Sequence, residues 1–443
     1  MKLNRRFLSL VALATAAPLA LAACSTTDTG SAASSSAPAA ATSEAAPPAA
    51  SAVELTFLTF ETPANDSTFW DAAIAAASAE VPGVTINRIV APGDRTTYAQ
   101  QLQASGQFPD LLASITPRVF LDAGLLEPFD EAWLQETFLK PDANQLEGVT
   151  YQPPTNTQII PLVFYNKQIF ADLGLEEPTT WAEFMDIIAA VRAAGITPLE
   201  NAGAEPWSAS MTLVGLASVD VLGQDPLWIQ KRAAGEVKFA DANFQAAVQK
   251  AVDLVNAQAY DPAALSVDYA TANANFLAGK SAMYPMGSWF IGQGYLTTEQ
   301  AANIGIFPWP SDDGTVYLPT TTGGTMSVSS SAKDVTLAME WAKAFTETPG
   351  NFKALIEGDG AFPMFKKLSL ADYNVTVTPL YEEGYTLVTG DDAQVGTFGW
   401  ATNDDSLAAG MNDAFYALSQ AVFSNSDVAA LCADLDNQWD AAA

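Results

Sequence analysis

Three tryptophans stand where an indole could be offered to a partner. Trp289 follows Gly287-Ser288 after an apolar run, and Trp207 follows the loop Asn201-Ala202-Gly203-Ala204-Glu205-Pro206. Trp400 ends Gly396-Thr397-Phe398-Gly399-Trp400, just before Asn403-Asp404-Asp405. An indole has a flat apolar face and one N–H at its edge, so it stacks on C–H-rich surfaces while nearby carboxylates and amides bond hydroxyls. That is the chemistry of noncovalent recognition. Each of the three also has an ordinary reading as a packed core residue, and ten tryptophans in 443 residues suit a large core as well as a site. Glu61 follows the first alternating stretch, at the carboxyl edge where open α/β sheets place ligands. Gly324, with Gly323, either lets backbone approach a ligand or simply turns the chain into a strand.

The chain contains no histidine. Ser-His-Asp triads, Cys-His pairs and the usual zinc sites all need imidazole, so those classes are excluded. Chemistry by carboxylates alone, as in glycosidases, survives this test. With 50 acidic residues, however, choosing any catalytic pair would be arbitrary.

The elements that must position these residues follow from periodicity. Leu55 to Phe60 alternates like a strand, Asp66 or Ser67 opens an amphipathic helix with Phe69, Ala73, Ile74 and Ala77 on one face, and residues 84–90 supply a second strand. This is a β-α-β unit, which leads to a parallel sheet. A helix around Tyr98 to Ala104 leads through Gly106 to a short buried strand at residues 109–113. Thr180 and Glu183 fit a capping box ahead of Phe184, Ile187, Ile188 and Val191, with Gly195 as the stop. Phe244, Val248, Val252 and Val255 mark a second helix. Asp312-Asp313-Gly314-Thr315 reads as a hairpin turn between Trp309 and Tyr317.

At the start of the chain, Lys2, Arg5 and Arg6 precede an uncharged stretch ending in Leu21-Ala22-Ala23-Cys24. This reads as a secretory signal over residues 1–23, too short and too interrupted by Pro18 for a permanent span. The ending resembles the lipobox of bacterial lipoproteins, which implies cleavage before Cys24 and acylation of its thiol. Residues 24–52, rich in Ala, Ser, Thr and Pro, read as a tether reaching roughly 30 Å. Residues 1–23 carry three basic and no acidic side chains, so the remainder holds 16 basic against 50 acidic groups, a formal charge of −34. Such a field repels nucleic-acid phosphates and keeps an exported protein soluble. With Cys24 acylated, Cys432 has no disulfide partner and reads as a small buried hydrophobe.

The segment Pro161-Leu162-Val163-Phe164-Tyr165-Asn166-Lys167 with Gly174-Leu175, Pro178-Thr179-Thr180-Trp181 and Gly195-Ile196-Thr197-Pro198 resembles family 1 extracellular solute-binding proteins of ABC importers, the maltose-binding-like group. Gly106-Gln107-Phe108-Pro109-Asp110-Leu111, then Phe276 to Met283 leading into Gly287-Ser288-Trp289, then Gly323-Gly324 and Ala338 to Phe345, agree in order. The resemblance implies an α/β, two-lobed periplasmic-binding-protein-like fold with a ligand cleft between the lobes and hinge closure. It implies a body over residues 53–443, with an N-lobe at about 53–160 and 283–338 and a C-lobe at about 161–282 and 339–443. It makes Asp110 either a ligand contact or a structural hydrogen-bonder. It places Trp289 at a position that often stacks on ligand, and Trp207 in a region that faces the cleft.

The ligand classes carried by such proteins include sugars, polyols, amino acids, peptides and metal ions. Scarce basic residues argue against phosphorylated or carboxylated ligands, and missing histidine argues against transition metals. The expectation is therefore a neutral sugar, an oligosaccharide by the aromatic count, bound by a monomeric, lipid-anchored receptor on the outer face of the cell membrane. It would need no cofactor, catalyse nothing and deliver its load to the permease subunits of an ABC importer. The rival readings are a tethered glycoside hydrolase using carboxylates and an adhesion lipoprotein without a small ligand.

Overall fold

The alternation at the start of the body becomes a strand, Val53–Thr59, paired in parallel with Val84–Val90 on one side and Leu111–Ala113 on the other. The helix between the first two, Ser67–Glu80, is capped by Asp66, whose carboxylate accepts from the Phe69 amide at 2.9 Å. Its buried face is Trp70, Ala73 and Ala77, not the face through Phe69 and Ile74, because Trp70 packs edge-on against Phe57 at 5.7 Å. The computed structural model describes residues 53–61, 65–93, 95–292, 296–408 and 410–442. The signal, Cys24 and the tether lie outside the described residues.

Met326–Ser329 joins the far side of Leu111–Ala113 in antiparallel fashion, and Leu126–Glu127 completes a five-stranded first sheet. A second, four-stranded sheet runs Ile304–Phe307, Leu162–Asn166, Ser281–Met286, Thr197–Leu199. A third sheet links them, in the order Phe362–Pro363, Pro154–Ile159, Tyr317–Gly324, Ala393–Gly396. Its two middle strands are antiparallel and each runs on into a different sheet. Pro154–Ile159 continues into Leu162–Asn166 of the second sheet, and Tyr317–Gly324 continues into Met326–Ser329 of the first. The molecule is thus two α/β halves joined by crossing strands, the two-lobed architecture.

Two apolar cores match the two halves. One gathers Leu55, Phe57, Trp70, Trp341 and Phe345 and extends to Phe164 and Phe290 beside the second sheet. The other gathers Phe184, Trp228, Phe244, Phe398 and Phe415 around the second sheet. Leu58, Leu112 and Phe120 cover the remaining face of the first sheet.

The expected lobe boundaries need correction. Ser281–Met286 and Ile304–Phe307 both pair with Leu162–Asn166, so these two segments belong to the second sheet. The return to the first is Met326–Ser329 with the helix Val335–Glu347, which covers Phe57 through Trp341 at 5.4 Å and bonds Ser78 through the Trp341 indole at 3.0 Å. Residue 338 therefore lies inside a helix of the first half, not at a boundary. The Asp312–Thr315 turn forms, with Asp313 accepting from the Thr315 amide at 3.0 Å, but it closes no hairpin. The strand before it belongs to the second sheet and the strand after it to the linking sheet.

The capping box at Thr180 and Glu183 is present, and Phe184, Ile187, Ile188 and Val191 are the buried face of Trp181–Ala193. In Ala242–Asn256, Phe244, Val248 and Val252 are buried together with Ala247 and Ala251. Cys432 is a buried free thiol, its pKa pushed up to about 12 by burial and by Asp436.

The last helix, Val428–Ala442, is held by a buried cation. Arg232 pairs with Asp436 at 3.1 Å and Asp440 at 2.8 Å, and its guanidinium lies 5.0 Å from the Trp439 ring. Asp436 also accepts from the amides of Phe239 and Ala240, each at 2.9 Å. Arg232→Ala leaves Asp436 buried without its counter-charge, so unfolding in urea should show a loss of about 3–5 kcal/mol. An unchanged midpoint would mean that the helix docks by its apolar face alone.

Candidate functional site

Trp289 owes its position to the glycines around it. The strand Ser281–Met286 ends at Gly287, and a single 3₁₀ turn, Ser288–Ile291, begins there. A Cβ on Gly287 would lie 2.0 Å from the Trp289 ring, so the indole folds back over bare backbone. A Cβ on Gly292 would lie 2.0 Å from the carbonyl oxygen of Gly358, which fixes the other end of the turn. The Ser288 hydroxyl accepts from the Ile159 amide at 3.2 Å and ties the turn to the linking sheet. The indole N–H then donates to the Tyr269 hydroxyl at 3.0 Å.

Tyr269 begins the helix Tyr269–Leu277, capped by Asp268. Its amide donates to the Glu205 carboxylate at 3.0 Å, which draws in the loop that carries Trp207. That loop is held at Gly203, where a Cβ would sit 2.6 Å from the carbonyl oxygen of Ala264, and by the Ser208 hydroxyl donating to the Ala202 carbonyl at 2.5 Å. Just before it, Glu200 is buried and bonded to Ser281 at 2.8 Å, and burial raises its carboxyl pKa despite that bond.

Trp400 follows the edge strand Ala393–Gly396. Phe398 is sunk in the second core with its amide on the Ser218 hydroxyl at 2.9 Å, and Gly399, at φ +75°, turns the chain so that Trp400 lies half-buried against the edge of that core. A left-handed residue at this point favours glycine.

The outcome is convergence. Trp207 lies 6.0 Å from Trp289 and 6.5 Å from Trp400, ring centre to ring centre, and Trp289 and Trp400 stack at 5.6 Å with 28° between their planes. Tyr269 stands 5.1 Å from Trp207. All four rings are only half-buried, unlike the core tryptophans Trp228, Trp309 and Trp341. Among the described residues the Trp400 indole N–H is buried and meets no acceptor. Two ring faces in contact with an intervening sugar ring need roughly 7–8 Å, twice a carbon–carbon contact, so no ring fits between Trp289 and Trp400 as they stand.

The other candidates are elsewhere, Glu61 and Asp110 at the first sheet and Gly324 at the end of a strand of the linking sheet. Glu61 is exposed at the carboxyl end of Val53–Thr59 and pairs with Arg88 at 2.6 Å. Asp110 is buried at the opposite, amino-terminal end of its strand. Its carboxylate accepts from the amide and hydroxyl of Thr56, both at 2.7 Å, and from the Lys333 amide at 2.8 Å. That is a structural assignment for Asp110. At Gly324 a Cβ would meet the Gln152 side chain at 2.3 Å, so side-chain packing requires this glycine. Tyr269 escaped the sequence reading, since its only local signal is the Asp268 cap.

Beyond Trp400 the chain walls a polar pocket of about 170 Å³ whose lining includes Lys140, Asn144, Thr321, Gln394, Asn403 and Asp405. Burial lowers the Lys140 pKa and raises that of Asp405, the latter opposed by a hydrogen bond from Gln230.

The model of the bacterial extracellular solute-binding protein family matches residues 61–352, and the chain belongs to that family, whose members are receptors and not enzymes. The multiple sugar-binding protein of Streptococcus mutans is 25% identical over 259 residues, 56% of this chain and 59% of that protein, so the match spans less than two thirds of the relative. Among solved structures, RafE from Streptococcus pneumoniae in its apo form superposes with a TM-score of 0.70 at 19% identity, over 88% of this chain and 98% of its own. A chitin oligosaccharide binding protein gives 0.69 at 21% identity, over 88% and 99%. These likenesses establish the two-lobed fold.

Gly287→Ala should fold, because its backbone (φ −71°, ψ 156°) suits any residue. It should displace the Trp289 indole, seen as loss of near-ultraviolet circular dichroism with little change in the far-ultraviolet helix signal. An unaltered aromatic signal would show that the ring does not depend on the bare backbone at 287.

Proposed function

We propose that the protein is an exported receptor that captures a neutral oligosaccharide on the Trp207–Trp289–Trp400 cluster and passes it to the permease of an ABC importer. The carrying observation is that three tryptophans spread over almost two hundred residues of sequence meet as half-buried rings. Rings left half-exposed suit the C–H faces of pyranoses. The contact between Trp289 and Trp400 sends a sugar to their outer faces or requires them to part. The polar pocket beyond Trp400 suits the hydroxyls of a further ring.

The relatives support the ligand class. The curated relative is named for multiple sugars, another is named for chitin oligosaccharides, and RafE has been solved in complex with raffinose. Glu61, Asp110 and Gly324 play no stacking part in this proposal. Thermal unfolding of residues 25–443 against mono- and oligosaccharides, polyols, amino acids and peptides tests it. A ligand at a hundred times its Kd stabilises the fold by about 2.7 kcal/mol, and the proposal expects an oligosaccharide to do so while remaining unaltered. Stabilisation by an amino acid or peptide alone would overturn the ligand class.

The same proposal includes anchoring through Cys24 at the outer face of the membrane, with residues 25–52 as tether. Cys24→Ser should move the protein from the membrane fraction to the medium and leave sugar binding intact. Retention of that variant in membranes would refute the acyl anchor.

A further inference from the structure

Residues 397–408 form a strap between the two lobes. Both of its ends are rooted in the second core, through Phe398 at one end and Leu407 at the other. Its tip reaches the first lobe. Asp404 pairs with Arg118 at 2.5 Å and accepts from the Glu147 amide at 2.9 Å, while the Asn403 amide group donates to the Ala143 carbonyl at 3.0 Å. Arg118 belongs to the turn Pro117–Phe120, whose Phe120 is buried against Leu58 and Leu112 of the first sheet. Asp405 turns back to the second lobe, where Gln230 donates to it at 2.9 Å.

Trp400 rides on this strap, four residues before Asp404. The other two tryptophans are secured within their own surroundings, Trp289 by the Tyr269 hydroxyl and the Trp207 turn by the bond from the Ser210 hydroxyl to the Trp207 carbonyl at 2.7 Å. The Trp400 indole has no hydrogen-bond partner among the described residues, so its place is set by ring packing and by the strap. A strap fastened to both lobes cannot keep the same contacts when the lobes turn relative to one another.

We propose that Arg118 and Asp404 are a positioning pair across the two lobes that holds Trp400 against Trp289, so that relative movement of the lobes shifts Trp400. Its relevance to ligand capture rests on the proposed sugar-binding role of the cluster, but the pairing itself does not. Both partners are about one-third exposed, which makes the contact sensitive to salt. A weak pair of this kind is suited to a part that must let go, since a strong one would fix the lobes in a single arrangement.

The test needs no sugar, so its failure is distinct from failure of the sugar reading. Stacked indoles give an exciton couplet in far-ultraviolet circular dichroism, and the difference between wild type and Trp400→Phe isolates the contribution of Trp400. Arg118→Gln and Asp404→Asn should each lose most of that couplet, Arg118→Lys should keep it, and the double variant should lose no more than either single one. Molar sodium chloride should weaken the couplet of the wild type and leave that of Asp404→Asn unchanged. A couplet indifferent to both single substitutions, or one in the wild type indifferent to salt, overturns the proposal. The salt titration uses the native chain and stands even where a variant does not fold.

Discussion

The antiparallel pairing of Pro154–Ile159 with Tyr317–Gly324 is the constraint on which the molecule depends. Each strand leaves this pair for a different sheet, so the ladder joins the two lobes and sets the floor between them. The ladder has an irregularity at Gly323 and Gly324, and there the Asn156 and Gln152 side chains occupy the space a Cβ would need. Hydrogen-bonded strands bend together far more readily than they separate, which lets such a link serve as a hinge while the cores on either side stay packed.

The aromatic cluster is built on this floor. The Trp289 turn is fastened to Pro154–Ile159 by Ser288, and Trp400 follows the strand that pairs with Tyr317–Gly324. Trp207 and Tyr269 are brought in from the second lobe by Glu205. Bare backbone at Gly203 and Gly287 permits close approaches that any side chain would obstruct. The same large rings buried in the two cores stabilise the fold, whereas here they are kept half-exposed by backbone geometry, leaving apolar surface without a partner.

Much of this was legible in the sequence because it is local. The opening β-α-β unit, the Thr180 capping box and the stripe through Phe244, Val248 and Val252 each depend on neighbours within a few residues. So do the settings of the three tryptophans, each beside a glycine or a loop. What was not legible depends on partners far along the chain. Residues 283–286 and Ile304–Phe307 read as part of the first lobe until their register with Leu162–Asn166 is known, and the turn at Asp312–Thr315 looks like a hairpin because the sheets it separates leave no local trace. Asp110 can be read as a ligand contact or as a structural hydrogen-bonder until the amides of Thr56 and Lys333 are found on its carboxylate. Tyr269 is invisible as a site residue until folding puts its hydroxyl beside Trp289.

The central claim is that a sugar is received on three particular indoles out of ten. Proton–nitrogen correlation spectra of the indole N–H groups, assigned by single Trp→Phe substitutions and followed while the stabilising sugar is added, test it most directly. The resonances of Trp207, Trp289 and Trp400 should move, while those of the buried Trp228, Trp309 and Trp341 stay in place. A saturating titration in which these three cleft resonances remain still would contradict it.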